Sequence, residues 1–296
     1  MMHWGILGDG AIGGLYAMSL YHAGYPVTLV MSNEFSQGQS FRQLTYENEQ
    51  THYQAELPIE QTTDHCDILL ICTKSYQVLD ALQTIHLTQN CELLTLHNGM
   101  GPQQKILNRY PDHSLWAGTT THGAKRQSNH IIHHGSGITT IGRYPKNHHT
   151  APCPTWLDDL NNALPEVIFD ENIEIALWRK LAINCVINPL TAIDQCLNGE
   201  LLSPSYQPVI RELCYEISQV ANACQIPLSC GEIEQLVQQV CKQTAKNHSS
   251  MAQDVYYRRP TEIKLINGYI VEMAKRYNLD VPFNRHLVKN LTTGEF

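Results

Sequence analysis

The sequence predicts an α/β first half followed by an all-α second half, and three observations predict it. Between residues 3 and 99, short apolar runs that stop at glycines or polar turns alternate with amphipathic segments. A G-x-G-x-x-G sits between the first apolar run and the first helical segment. From about Glu166 onward the apolar residues fall at i, i+3 and i+4 in long segments, with no strand-like run between them.

The elements follow in order. HWGILG (3–8) is a short apolar run ending in glycine, a buried strand, and AIGGLYAMSLYHAG (11–24) has helical periodicity and a glycine stop. PVTLVM (26–31) is continuous and rich in β-branched residues, a second buried strand. After a polar stretch, CDILLICT (66–73), YQVLDALQTI (76–85) and ELLTLHNG (92–99) repeat strand, helix, strand. SLWAGTTTHGA (114–124) reads as a further strand, and NHIIHHGSGITTIGRY (129–144) as a hairpin turning at Gly135–Gly137. Strands alternating with helices imply a mainly parallel sheet with helical crossovers.

The second half offers helices over 171–193, 205–225, 230–246 and 260–278. The Pro-rich stretch 145–170 holds the boundary, dividing a dinucleotide-binding domain (1–168) from a helical domain (169–296). Active sites favour the cleft between two such domains.

Composition narrows the function. A net charge of −8 argues against nucleic acid, which calls for clustered Lys and Arg. The start lacks the basic region and long apolar stretch of a signal peptide, and no apolar run approaches membrane-spanning length. The expectation is a soluble cytoplasmic protein. Its ten cysteines are scattered, never form C-x-x-C, and are expected to be reduced. Fifteen histidines include HIIHHG (130–135) and NHH (147–149), but neither has the spacing or partners of a metal site, so no metal is expected and solvated histidines are.

Gly8, Gly10 and Gly13 form the glycine motif in the right context, a strand before and a helix after. The first glycine permits the tight turn, the second lets the backbone approach a pyrophosphate, and the third lets helix and strand pack closely. The new helix offers unpaired N–H groups and its positive dipole end to the phosphates. The residues after the second strand usually choose the cofactor: an acid there favours NAD, an Arg the 2′-phosphate of NADP. Here stand Ser32, Asn33 and Glu34, and no Arg appears until Arg42, so these residues leave the choice open.

In the helix LWRKLAINCVINPL, Lys180, Asn184 and Asn188 recur every four residues and share one face. A solvated face would more usually carry Glu–Lys pairs than two Asn, so the stripe reads as the polar lining of a cleft. HNGMG (97–101) ends a strand at the carboxyl edge of the sheet, where ligands collect. Ser250 and Glu262 are further candidates, although Pro260 at a helix start with Glu262 in the first turn also reads as capping chemistry.

Together, and in order, G-x-G-x-x-G, TKSYQ (73–77), HNGMG, GTTTHGA (118–124), ALWRKLAINCVINPLTA (176–192), NGE (198–200) and SSMAQD…TEIKLINGY closely resemble the ketopantoate reductase (2-dehydropantoate 2-reductase) family over nearly the whole chain. The resemblance implies a Rossmann-type domain followed by a helical domain like that of 6-phosphogluconate dehydrogenase. It also implies NADPH-dependent reduction of 2-dehydropantoate to (R)-pantoate, on the way to pantothenate and coenzyme A.

Carried onto this chain, the family makes Lys180 the proton donor to the ketone oxygen. Hydride addition builds negative charge there, which an ammonium stabilises before giving up its proton. Burial would lower that lysine's pKa and nearby carboxylates would oppose the shift. The resemblance assigns Asn98, Lys180, Asn184, Asn188, Asn198 and Ser250 to the substrate. It assigns Gly8, Asp9, Gly10, Ala11, Ile12, Gly13, Ser32, Lys74, Asn98, Ala124 and Glu262 to the cofactor.

Ser32 stands where the family usually has the Arg that grips the 2′-phosphate, which leaves Lys74 as a cationic partner and NADH as an alternative to NADPH. Other readings are a reductase of a different 2-keto acid and a dinucleotide-sensing regulator without turnover; the intact lysine and asparagines speak against the regulator. An exposed apolar face on the helical domain would support a homodimer, but periodicity does not identify one.

Overall fold

The computed structural model describes residues 1–36, 38–145 and 152–293. The chain forms two compact units. One comprises Met1–His97 and Pro102–Ile173, the other Asn98–Gly101 and Glu174–Phe296.

In chain order the first unit contains β1 (Trp4–Leu7), α1 (Ala11–His22), β2 (Val27–Val30), α2 (Asn33–Ser36), β3 (Phe41–Glu47), β4 (His52–Glu60) and β5 (Ile68–Ile71). It continues with α3 (Val78–Gln83), β6 (Glu92–Thr95), α4 (Pro102–Arg109), β7 (Leu115–Thr120), β8 (Gly123–Gln127), β9 (His130–Gly135), β10 (Thr139–Arg143), α5 (Leu157–Ala163) and β11 (Val167–Phe169). The described strands form one sheet in the order β11-β10-β7-β6-β5-β1-β2-β4-β3-β9-β8.

The central strands are parallel and short, and β1, β2 and β5 are buried along their whole length, as continuous apolar runs require. Their alternate residues serve two cores. Trp4 and Ile6 of β1 and Ile68 and Leu70 of β5 join α1 and α5 on one face; Leu7, Leu69 and Ile71 join α3 and α4 on the other.

α1 is buried from Gly13 to Leu20, because the β3–β9–β8 end of the sheet also packs against it. Two adjacent glycines permit this. A Cβ on Gly13 would strike the Gly8 carbonyl, and one on Gly14 would strike the Ile131 side chain of β9.

Several local expectations are corrected. The supposed hairpin at Gly135–Gly137 does not exist: β9 pairs with β3 and β8, whereas β10 pairs with β7 and β11. The glycines mark a change of direction, and Ile131 fixes β9 beneath α1 instead of beside β10. The segment 114–124 is two strands, β7 and β8, and the polar stretch after β2 contains the antiparallel pair β3–β4. His133 is half-buried against Tyr46 rather than solvated, its Nδ1 3.0 Å from the phenol oxygen. The NHH motif at 147–149 lies outside the described residues.

The second unit is helical: α6 (Ile173–Asp194), α7 (Gln207–Ala223), α8 (Cys230–Gln243), α9 (Ser250–Tyr256), α10 (Asn267–Arg276) and α11 (Pro282–Thr293), with α6 starting at the last residue of the first unit. The helix expected over 260–278 is a 3₁₀ turn (Ile263–Leu265) followed by α10, so Pro260 starts no helix and Glu262 caps none by its side chain. No described helix is long and apolar enough to cross a membrane.

Pro189 lies inside α6. Proline has no N–H, so the carbonyl four residues earlier, that of Cys185, loses its helical donor. Asn267 of α10 replaces it, donating from Nδ2 to the Cys185 carbonyl at 2.8 Å. The same nitrogen meets Asn284 Oδ1 at 2.9 Å, and Asn284 Nδ2 donates to Glu216 Oε2 at 2.8 Å. Glu216, on α7, also accepts the Phe283 and Asn284 backbone N–H groups at 2.7 and 2.9 Å, capping the first turn of α11. A proline in one helix thus requires a buried polar chain through three others.

Candidate active site

In the first unit the glycine loop joins β1 to α1. Gly8 has φ +98°, a left-handed conformation that only glycine adopts without strain, and a Cβ there would press on the Thr73 backbone. Gly10 is the α1 N-cap residue, and a Cβ added to it meets nothing within 4 Å. Ala11 and Ile12, half-buried, form the first turn, which has no acidic residue and no side-chain cap. The N–H groups of a helix's first turn lack intrahelical partners and carry positive dipole charge, a combination suited to a pyrophosphate.

Asp9 lies between the glycines and does not stand alone. Arg42 of β3 pairs with its Oδ2 through Nη1, and Arg126 of β8 approaches its Oδ1 at 2.9 Å. Arg126 also donates to the Asp9 carbonyl, and from Nε to the Ser128 carbonyl at 2.7 Å. Reading the sequence does not find this pair of arginines, because 33 and 117 residues separate them from their partner.

The other cofactor candidates stand at neighbouring strand ends. Ser32 follows β2, is 9% exposed, and its Oγ has no hydrogen-bond partner. Thr73 Oγ1, after β5, is likewise a buried atom without a partner, and half-buried Lys74 caps the 3₁₀ turn Ser75–Gln77. Ala124 is half-buried in β8 opposite His133.

Beside it, the Gly137 N–H donates to His122 Nδ1 at 3.1 Å, which puts the His122 proton on Nε2, itself buried without a partner. Burial lowers the His122 pKa to about 4, and the adjoining His133 adds to the shift.

In the second unit the structure brings Asn98 and Glu262 together. Asn98 Nδ2 donates to Glu262 Oε2 at 3.4 Å, and Glu262 is buried. The loop holding Asn98 is fixed by its backbone: Gly99 has φ +75°, a Cβ there would strike the Leu265 carbonyl, and that carbonyl accepts the Met100 N–H at 2.9 Å.

Lys180, Asn184 and Asn188 follow one another along α6, the first two half-buried and the last buried. Asn198 opens a 3₁₀ turn. Its Nδ2 donates to Thr244 Oγ1 at 2.9 Å, while its buried Oδ1 has no partner. Ser250 stands exposed at the start of α9, where Ser249 and not Ser250 is the cap, accepting the Ala252 N–H at 3.0 Å.

Among the described residues no cluster of three His, Cys, Asp or Glu could hold a metal ion, and all ten cysteines are free thiols. Burial pushes several of these thiols up, Cys66 and Cys91 to about 12, which makes them poor nucleophiles.

Comparison with known proteins covers both units. A family model described as ketopantoate reductase PanE/ApbA matches residues 4–146, and its C-terminal counterpart matches residues 172–295. The 2-dehydropantoate 2-reductase of Vibrio cholerae serotype O1 is 40% identical over 293 residues, covering 98% of this chain and 97% of its own length. That of Yersinia pestis is 35% identical over 307 residues, covering 98% and 94%. Among solved structures, a PanE/ApbA family ketopantoate reductase from Ralstonia eutropha JMP134 has the same fold, with a TM-score of 0.86 at 24% identity over 99% of this chain and 98% of that one. With family models matching both ends and curated relatives aligning over almost the full length, the chain belongs to the ketopantoate reductase family.

Proposed function

We propose that this protein reduces 2-dehydropantoate to (R)-pantoate with NADPH, a step toward pantothenate and coenzyme A. Residues 1–168 carry the cofactor and residues 169–296 the substrate. The observation that carries the reading is the Lys180–Asn184–Asn188 face of α6, within a chain 40% identical to a protein named for this reaction.

The glycine loop fits a dinucleotide: Gly8 makes the turn, Gly10 leaves room, Gly13 lets α1 approach, and the first turn of α1 presents uncapped N–H groups. Asp9, Ala11, Ile12, Ser32, Lys74 and Ala124 complete that site within the first unit, and the family resemblance assigns Asn98 and Glu262 of the second unit to the same cofactor. When bound, the reduced nicotinamide supplies hydride to the ketone carbon.

Lys180 stabilises the charge that develops on the ketone oxygen and then transfers its proton to it, leaving an alcohol and a neutral amine that regains a proton from solvent. Asn184, Asn188, Asn198 and Ser250 grip the substrate carboxylate and hydroxyl. A small keto acid presents few atoms, so selectivity needs several directional donors. Asn198 suits this role because Thr244 holds its amide nitrogen, leaving a buried carbonyl oxygen in need of a donor such as the substrate hydroxyl. Glu262, held by Asn98, accepts from hydroxyl groups and keeps the asparagine oriented.

The test is purified protein with ketopantoate and NADPH or NADH, followed by nicotinamide absorbance, alongside Lys180→Ala. The expected result is turnover by the native protein and a fall in kcat of about 10²–10⁴-fold in the variant. No turnover with either cofactor overturns the reading, and near-native kcat in the variant removes Lys180 as proton donor.

A further inference from the structure

We propose that Arg42, delivered from β3, is the residue that reads the adenosine 2′-phosphate of the cofactor, doing from a different strand what Ser32 cannot do at the end of β2. The inference rests on the reading that the glycine loop binds NADPH.

The route of the chain brings Arg42 to the right place. After β2 the chain leaves through Ser32 and α2 and returns at Ser40, whose carbonyl accepts the Ile59 N–H at 2.8 Å. Ile59 lies in β4, the parallel neighbour of β2, where it is paired with Leu29, with Glu60 beside Val30. Arg42 follows two residues later, opposite Leu57, and its guanidinium reaches the carboxylate of Asp9 in the glycine loop. A strand that starts beside the carboxyl end of β2 therefore places a cation between that end and the pyrophosphate loop, the region where the adenosine ribose of a Rossmann-bound dinucleotide lies.

Ser32 has no charge to offer a phosphate, and its Oγ is enclosed without a hydrogen-bond partner.

The charges favour the same assignment. A lone carboxylate in a loop that receives phosphates would repel them. Two guanidiniums against the single Asp9 carboxylate leave the cluster with one net positive charge. The two arginines are not equivalent. Arg126 is tied through Nε to the Ser128 carbonyl and through Nη1 to both the carboxylate and the carbonyl of Asp9, which makes it a positioning residue for the loop. Arg42 pairs with the carboxylate through Nη1 from the strand that starts beside β2, and a guanidinium is a planar fork that matches phosphate oxygens. Asp9 thus holds that fork at the loop before the nucleotide arrives, lowering the cost of ordering a long side chain on binding.

The experiment is calorimetric binding of adenosine 2′,5′-bisphosphate and of 5′-AMP, which differ by the phosphate in question and require no turnover. It is run on the native chain, Arg42→Gln and Arg42→Lys. The native protein is expected to prefer the bisphosphate by ~10-fold or more. Arg42→Gln should remove ~10- to 100-fold of affinity for the bisphosphate, as expected for losing a charge-assisted fork, and only a few-fold for 5′-AMP, since Arg126 still faces Asp9. Arg42→Lys, which keeps the charge and the strand packing, should retain part of the preference.

Equal losses for both nucleotides, or an unchanged preference in both variants, overturn the assignment while leaving NADPH binding standing. A native protein that binds both nucleotides equally overturns the NADPH reading, and this assignment with it. Binding of neither removes the dinucleotide reading altogether.

Discussion

The glycine loop of the first unit and the polar face of α6 in the second both sit where regular backbone is interrupted, but the interruptions are made differently. In the loop, Gly8 takes a left-handed turn and Gly13 yields room, so backbone conformation makes the turn and the ion pairs of Asp9 hold it. In α6, Pro189 removes a donor between Asn188 and Leu190, and Asn267, Asn284 and Glu216 from three other helices restore the hydrogen bonding. A backbone-made station depends on residues that touch it. A side-chain-made one depends on residues from other helices.

The largest effect should come from testing how completely the loop is backbone-made. Gly13→Ala sets a methyl against the Gly8 carbonyl, and neither main-chain segment can give way. We expect loss of dinucleotide binding by ~100-fold or more and destabilisation of about 3 kcal/mol. Gly10→Ala is the sharper variant, because its φ of −64° suits alanine and its Cβ meets no neighbour. It should change stability by less than about 1 kcal/mol and still weaken NADPH binding by ~10-fold. Unchanged NADPH binding in Gly10→Ala would mean that the pyrophosphate does not pass over that residue.

Next in size is the remote support of α6. Asn267→Ala leaves the Cys185 carbonyl and Asn284 Oδ1 without a donor in a fully buried site. Each orphaned group costs about 1–3 kcal/mol, so chemical denaturation should show a loss of about 3 kcal/mol. Because the Cys185 carbonyl that Asn267 holds lies next to Asn184 on α6, KM for ketopantoate should rise several-fold while NADPH affinity stays within about 2-fold of native. A parallel loss of both affinities would show that the two stations share their support.

How much of this is legible in the sequence follows from the same contrast. Gly8, Gly10 and Gly13 and the Lys180–Asn184–Asn188 stripe are local patterns with a fixed period, and periods survive in a sequence. Pro189 is equally visible, and it announces that the Cys185 carbonyl needs a donor. Nothing near it says that the donor is Asn267, which the apolar spacing places inside the helix expected over 260–278. Arg42 and Arg126 fail for the same reason, since only strand pairing brings them to Asp9. The strand pair β3–β4 was hidden because Phe41 and Gln43 face outward while Leu44, Thr45 and Tyr46 are buried in succession, which breaks the alternation. The glycines at 135 and 137 predict that the chain turns, but whether β9 pairs with β10 or with β3 depends on Ile131 packing against α1.

The smallest effect concerns the place where the first unit departs from the backbone-made pattern, the His122–His133–Tyr46 group. His122 Nδ1 and His133 Nε2 are 3.2 Å apart, and the Gly137 N–H and Thr120 Oγ1 hold the His122 ring and main chain. Its imidazole titrates near 4 in the folded protein against about 6.5 in the unfolded chain. Below pH 6.5 the unfolded chain takes up a proton that the folded one refuses. The neutral ring therefore contributes stability that is present above pH 6.5 and is lost as the pH falls toward 4, by about 2 kcal/mol at pH 5. His122→Asn keeps an acceptor for the Gly137 N–H and cannot titrate. Urea unfolding at pH 8 and pH 5 should therefore show a smaller drop in the variant, by about that amount. Equal drops would mean that acid reaches the fold through His3 or His133, whose pKa values burial also lowers.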